Sequence, residues 1–89
     1  MAVRDMTPQI ARQLGVPEKT KGVVVTDVEE GSLADEVGIQ PRDIILQVNQ
    51  VNVGSLKDYQ REIAKPAAKN SILLLIKRGK TTYYVALRR

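Results

Sequence analysis

The chain has 89 residues, 43% of them hydrophobic, and a formal net charge of +4. This length allows one small domain, and the apolar fraction favours a packed core over disorder. Cysteine and histidine are both absent, which excludes a disulfide scaffold, a thiolate or imidazole metal site, and a histidine-dependent catalytic triad within the chain.

The first third of the chain predicts a strand, a helix and a second strand. The start, MAVRDM, alternates weakly between apolar and polar residues, which indicates a short strand. A helix should follow, because Thr7 is a good N-cap, Pro8 suits the first helical position and Gly15 can end the helix in a left-handed conformation. The β-branched run over residues 22–28 indicates a largely buried strand.

The middle of the chain predicts a short helix between strands. Ser32 is placed to cap this helix and Gly38 to end it. Asp35 is expected to return the capping hydrogen bond to the backbone of Ser32. A strand over residues 43–48 follows, and a tight bend is expected at Asn49–Gln50.

A longer amphipathic helix is predicted after a very short strand over residues 51–53. Ser55 is its N-cap, residues 56–65 form it and Pro66 ends it. Its apolar stripe, spaced i, i+3 and i+7, consists of Leu56, Tyr59 and Ile63.

The last quarter of the chain predicts a β-hairpin. Residues 71–77 and 80–87 are two strand patterns around a turn at Arg78–Gly79. The run over residues 72–76 is apolar throughout, as in a strand that is covered on both faces.

No reaction chemistry is visible in the sequence. Ser32 and Ser55 are explained as helix caps, and no histidine is present to activate a serine. No glycine-rich phosphate loop occurs, and one acidic patch lacks the spacing of a calcium loop: Asp27, Glu29, Glu30, Asp35 and Glu36. We therefore expect no catalytic residue, no metal and no cofactor.

A binding surface follows from the predicted architecture instead. A small sheet beside one amphipathic helix leaves a groove between that helix and an exposed strand edge. Unpaired backbone groups on the edge can accept an extended peptide, while the helix offers pockets for its side chains. Such a module needs no reactive residue.

The central stretch GVVVTDVEEGSLADEVGIQPRDIILQVN resembles the signature of PDZ domains: Gly-Φ-Φ-Val, Gly-Ser-Pro-Ala, Ala-Gly-Leu-x-x-Gly-Asp and Φ-Ile-x-x-Val-Asn-Gly, where Φ is an apolar residue. The matching positions are Gly22 to Val25, Gly31, Ser32, Ala34, Gly38, Asp43, Ile45, Val48 and Asn49.

Three positions depart from the PDZ pattern. Leu33 replaces a proline, Arg42 replaces the glycine before Asp43, and Gln50 replaces the glycine after Asn49. Both glycine positions favour tight turns. A non-glycine residue held there at positive φ would cost roughly 1 kcal/mol.

The resemblance extends over the whole chain. The helix inserted after the first strand and the closing hairpin are similar to PDZ domains of HtrA/Deg serine proteases, most of all to the second PDZ domain of the Do-type members. The implied fold is α+β, a small partly open β-barrel or sandwich of five to six strands with two main helices in the permuted bacterial strand order. Residues 1–89 would be a single PDZ domain within a larger periplasmic or cell-envelope protease.

The same resemblance implies a peptide-binding groove with the domain itself non-catalytic. The implied partners are polypeptide C-termini or unfolded segments, the protease domain and neighbouring subunits. Carried over by position, the groove residues are Met1, Ala2, Val3 and Arg4 on the pairing strand and Leu56, Gln60 and Ile63 on the helix. Plain core packing is the alternative for Leu56 and Ile63. In the family a loop directly before the pairing strand holds the ligand carboxylate, and we expect it upstream of Met1.

Other functions remain open at this level. The domain could instead hold subunits of an oligomer together, or come from a site-2 protease, a tail-specific protease or a secretion protein. The basic end of the hairpin could touch nucleic acid, but Tyr83 and Tyr84 are neighbours in a strand and make a poor stacking platform. A solvated face is the preferred interpretation, so no nucleic-acid partner is expected. No apolar run approaches the ~18 residues that cross a bilayer, so no membrane insertion is expected.

Overall fold

The structure is a computed structural model and describes residues 1–65 and 71–88. Within these ranges the chain forms six strands and three helices in the predicted order. Their bounds are β1 Ala2–Asp5, α1 Pro8–Leu14, β2 Val23–Asp27, α2 Leu33–Glu36, β3 Ile44–Val48, β4 Val51–Asn52, α3 Leu56–Ala64, β5 Ser71–Arg78 and β6 Thr81–Arg88.

The strands form one antiparallel sheet in the order β1-β2-β3-β5-β6, with β4 paired to β3 outside this path. The sheet has β1 at one end and β6 at the other, and all its pairs are antiparallel. This open, helix-covered sheet confirms the predicted α+β class.

Both faces of the sheet are covered by helices. On one face, α2 and α3 pack over the main core cluster, which includes Val23, Val25, Ala34, Ile39, Ile45, Val48, Val53, Ile72, Leu74, Ile76 and Val85. On the other face, α1 lies against the sheet through a smaller cluster of Ala11, Val16 and Ile44. Because residues alternate along a strand, the neighbouring residues Ile44 and Ile45 of β3 serve these two different cores.

The predicted caps of α1 and α2 are confirmed, with one correction. The Thr7 hydroxyl accepts from the Ile10 N–H at 3.1 Å, and Gly15 ends α1 at φ 73°. The Ser32 hydroxyl accepts from the Asp35 N–H at 3.2 Å. The Asp35 carboxylate, however, accepts from the N–H of Gly31 rather than of Ser32, because the donor one residue earlier lies within its reach.

The turns retain the geometry that glycine normally supplies. Arg42 has φ 79°, and Asn49 and Gln50 have φ 50° and 68°. Two consecutive positive φ angles between the paired residues Val48 and Val51 are those of a type I′ hairpin turn. The family's turns are therefore formed here by side-chain-bearing residues in the left-handed region.

The closing hairpin differs from prediction in two details. Arg78 pairs with Thr81, so the turn residues are Gly79 and Lys80, one position later than predicted. The run over residues 72–76 is also not covered equally on both faces, because fully buried and half-buried residues alternate along β5. Only one face of this strand meets the main core. The expected stop at Pro66 lies outside the described residues, and α3 ends at Ala64.

Candidate functional site

The free edge of β1 lies beside α3. Within residues 1–65 and 71–88, β1 pairs with β2 alone, and α3 packs next to it. Val25 of β2 exchanges backbone hydrogen bonds of 2.8 Å with residues 42–43, so its backbone groups face away from β1. Backbone groups alternate between the two sides of a strand. The backbone of Val24 therefore faces its partner Arg4, and the N–H and C=O of Val3 face the free edge.

The start of α3 is fixed by two carboxylates. The Ser55 hydroxyl accepts from the Asp58 N–H at 3.1 Å, and the Asp58 carboxylate accepts from the Gly54 N–H at 3.1 Å. The Asp5 carboxylate, at the end of β1, accepts from the Leu56 N–H. Negative charge at a helix N-terminus is also favoured by the helix dipole. The two walls of the groove are thus held together at one end.

The structure brings three of the predicted site residues together on the main core cluster. Val3, Leu56 and Ile63 are half-buried, and all three pack against the main core cluster. Leu56 and Ile63 thus contribute to the core whether or not they line a groove. Gln60 is exposed on α3. Tyr59, the third member of the apolar stripe, packs on the same core, and burial raises the pKa of its hydroxyl.

The N-terminal residues of the predicted site are divided between the two sides of β1. Met1 and Ala2 are exposed, and a register irregularity separates Ala2 from Val3. The side chain of Arg4 lines a cavity together with Ile10 of α1, on the face of the sheet opposite α3. Arg4 can therefore contribute backbone to the pairing strand, but its side chain lies elsewhere.

Sequence reasoning missed two polar contacts that hold the domain in shape. The Asp5–Leu56 hydrogen bond joins residues 51 positions apart, and no local sequence pattern predicts it. The second contact is centred on Asp43, which is 1% exposed. Its carboxylate accepts from Arg78 Nε at 2.8 Å and Nη2 at 2.7 Å, and from the Gln40 N–H at 2.9 Å. The family's Gly-Asp pattern identifies Asp43 but not Arg78, its cationic partner.

Arg78 ties the turn before β3 to the end of β5. Its Nη2 also donates to the carbonyl of Gly38 at 2.7 Å, and its guanidinium lies 5.2 Å from the ring centre of Tyr83. The hydrogen bonds to Asp43 raise the pKa of Arg78 above its usual value. Burial raises the pKa of the Tyr83 hydroxyl, with the Asp43 charge as the next cause. Because Asp43 directly follows Arg42, the hydrogen bonds from Arg78 to Asp43 also fix the turn that carries Arg42.

The described part of the chain offers neither a membrane span nor a metal cluster. None of its helices is long and apolar enough to cross a bilayer. Among the same residues, no three His, Cys, Asp or Glu side chains are grouped so that they could hold a metal ion.

Comparison with known proteins defines the class. The PDZ domain family model matches residues 24–78, more than half of the chain, and the chain therefore belongs to the PDZ domain family. Over 97% of its length it is 37% identical to a probable periplasmic serine endoprotease DegP-like from Chlamydia pneumoniae, and it spans 17% of that relative. It is thus homologous to the PDZ domains of HtrA/DegP-like proteases, as the sequence resemblance predicted.

Two solved structures share the fold. The PDZ domain of HtrA3, bound to a phage-derived ligand (FGRWV), superposes with a TM-score of 0.80 at 25% identity over 99% of this chain and 79% of that chain. The HtrA-type protease AlgW, solved with a decapeptide, gives a TM-score of 0.81 at 23% identity over 97% of this chain and 26% of that chain. These likenesses confirm the predicted PDZ-like architecture.

Proposed function

We propose that the groove between β1 and α3 binds C-terminal or extended hydrophobic segments of polypeptides by β-strand addition. The observation that carries this proposal is the free edge of β1, with the backbone of Val3 directed outward, beside the start of α3. A strand edge of this kind supplies affinity through main-chain hydrogen bonds, and the neighbouring helix supplies specificity.

The solved relatives support a peptide as the ligand. HtrA3 was solved with the ligand FGRWV and AlgW with a decapeptide. In this chain an apolar residue, Leu56, begins α3, and the resemblance to PDZ domains places it where many animal members have a histidine that selects Ser or Thr. A preference for apolar ligand side chains follows, because an apolar wall gains free energy only from apolar surface.

We infer that residues 1–89 act as one PDZ domain of an HtrA/Deg-type serine endopeptidase. The DegP-like relatives are named serine endoproteases, and the chain spans only 17% of their length. The domain would be non-catalytic and would deliver substrate to, or regulate, a separate protease domain and neighbouring subunits. The relatives' names also support a periplasmic or cell-envelope location.

Exchange of one groove residue tests this function. Leu56→Glu should weaken binding of fluorescein-labelled FGRWV at least tenfold, because the carboxylate replaces an apolar wall. Since Leu56 is half-buried on the core, the same change should also cost about 1–2 kcal/mol of stability. Binding is measured by fluorescence anisotropy at a temperature where circular dichroism shows both proteins folded. Lys57→Glu, an exposed change in the same helical turn, is the matched control and should bind like the parent.

Changes in the ligand test strand addition without altering the protein. N-methylation at alternate residues of FGRWV removes the donors that face β1, so one of the two methylation registers should bind at least tenfold more weakly than the other. Equal affinity in both registers would show that the peptide does not add to this strand. Equal losses in Leu56→Glu and Lys57→Glu would show that Leu56 does not form an apolar wall of the site.

A further inference from the structure

A second concave surface lies on the face of the sheet opposite α3. A cavity of about 430 Å³ opens between α1, strands β1 and β2, and the turn before β3. Its lining includes Ile10, Leu14, Val24 and Pro41 as apolar residues and Arg4 and Arg42 as cations. We call this surface the arginine cleft. A neighbouring hollow of about 300 Å³ shares Leu14, Pro41 and Arg42 with it, so the concave surface continues along α1.

The charges of the arginine cleft are uncompensated. The lining residues of the larger cavity include two arginines and no acid. Arg12, Arg61 and Arg78 each have a carboxylate partner, at 3.5, 2.7 and 2.7 Å respectively. Within residues 1–65 and 71–88, Arg4 and Arg42 have no such partner. Two exposed guanidiniums beside an apolar hollow therefore favour an anionic group attached to an apolar one.

Arg42 occupies its position at a conformational cost. Its φ of 79° lies in the left-handed region, and its N–H is fixed by a 2.8 Å hydrogen bond to the carbonyl of Val25. Glycine is the residue that the PDZ pattern has here and would adopt this conformation without strain. Arg42 is thus a strained residue that lines a cavity, and strain of this kind suggests a function.

We propose that the arginine cleft binds an acidic segment of a partner polypeptide, with an apolar side chain in the hollow and carboxylates on Arg4 and Arg42. The volume of the arginine cleft, about 430 Å³, falls within the usual range of ligand sites, about 300–1,000 Å³. A polypeptide is favoured over an anionic membrane because the apolar residues Ile10 and Leu14 are half-buried in a concavity. Membrane-binding surfaces instead present apolar side chains outward.

This site is independent of the groove between β1 and α3. Val3 faces the main core and α3, whereas Arg4, the next residue, faces α1. The two sites lie on opposite faces of the same strand. A peptide in one can therefore be distinguished from a peptide in the other by the amides that respond.

The test is a titration of the ¹⁵N-labelled 89-residue chain with the capped peptide acetyl-LDLDL-amide, which has no free C-terminus. Amide resonances of Gln13, Leu14 and Arg42 should shift and saturate. Arg4→Gln and Arg42→Gln should each weaken binding about five- to tenfold, because each removes a charge-assisted contact. Arg42→Lys should weaken it less, since the charge remains. Arg12 lies on α1, the helix that borders the cleft, but is not among the residues that line it. Arg12→Gln therefore removes the same charge and should change the affinity less than about twofold.

Three results would overturn the proposal. Shifts centred on Leu56 and Gln60 would place the peptide in the other groove. Equal weakening of peptide binding by Arg12→Gln and Arg42→Gln would show that the net charge of the protein, and not the cleft, attracts the peptide. Saturable shifts at Gln13 and Leu14 with phosphatidylglycerol vesicles, but not with the peptide, would make the surface a membrane contact. Folding of each variant is checked by its thermal unfolding, and Arg4→Gln serves should Arg42→Gln lose its fold. FGRWV binding, which reports on the first groove, is measured separately, so failure of this proposal is distinguishable from failure of the proposed function.

Discussion

Replacing Arg78 with methionine should lower the free energy of unfolding by about 2–4 kcal/mol. Asp43 is 1% exposed, and in the variant its carboxylate keeps only the Gln40 N–H at 2.9 Å and the Tyr83 hydroxyl at 3.4 Å. Breaking a fully buried ion pair costs about 3–5 kcal/mol. The Arg78 side chain is 41% exposed, so water can partly replace it, and the expected loss is correspondingly smaller.

Thermal and urea unfolding at pH 7 measure this loss. About 1 kcal/mol shifts the melting temperature of a domain this size by roughly 4–8 °C, so a decrease of roughly 8–32 °C is expected. Arg61→Met is the matched control. Its ion pair with Asp58 has the same 2.7 Å distance, but the two side chains are 61% and 34% exposed. Arg61 Nε also lies 3.8 Å from the buried Glu62 carboxylate, which keeps Lys65 at 2.9 Å in the variant. Removal of Arg61 should therefore cost less than about 0.5 kcal/mol.

The comparison of the two variants decides whether burial, rather than distance, sets the strength of the Asp43–Arg78 pair. Similar losses for Arg78→Met and Arg61→Met would refute that reasoning. So would a loss below about 0.5 kcal/mol for Arg78→Met. In the double variant Asp43→Asn, Arg78→Met, the total loss should be smaller than the sum of the two single losses, because the first substitution already removes the charge that the second leaves unpaired.

Two backbone predictions complete the set. Arg42→Gly should raise the unfolding free energy by up to about 1 kcal/mol, since relief of the left-handed conformation outweighs the added freedom of the unfolded chain; a lower melting temperature would contradict this. Gly22→Ala should cost about 2–4 kcal/mol, because an added Cβ would lie 2.6 Å from the Ile45 carbonyl oxygen at φ 153°. Gly31→Ala, at φ 80° with open space, should cost only about 1 kcal/mol, and equal losses would show that crowding is unimportant at Gly22.

Arg42→Gly also links stability to the arginine cleft. The substitution removes strain and one of the two unpaired guanidiniums together. A variant that melts at a higher temperature but binds the acidic peptide more weakly would show that the residue is kept for its side chain. This is the trade-off expected where a strained residue serves a function.

Local sequence patterns were sufficient to predict the order of helices and strands and to recognise the family. Thr7, Ser32 and Ser55 identified three helix starts, because a capping hydroxyl acts within three residues of its own position. The permuted strand order was inferred from the resemblance to PDZ domains, because no local sequence signal encodes it. Gln50 and Arg42 were recognised as departures from glycine, and the structure shows both at positive φ.

Contacts between distant residues could not be predicted in this way. The partner of Asp43 is Arg78, 35 residues away, and no local sequence pattern pairs the two. Asp5 binds the start of α3 from 51 residues away. The alternating burial of β5 was missed for a similar reason: a run of apolar residues has no period, and its two faces differ only once the helices have packed.

The hydrogen bond between Asp5 and Leu56 has a consequence for when the groove exists. One wall comes from β1 and the other from a helix 51 residues further along the chain, so the groove forms only once the segments between them have folded. Contacts of such high sequence separation form late and slow folding. A ligand that joins the two walls binds only the folded state. At one hundred times its dissociation constant it would add about 2.7 kcal/mol to the stability of the domain. Peptide supply would then raise the folded fraction of the domain as well as its occupancy.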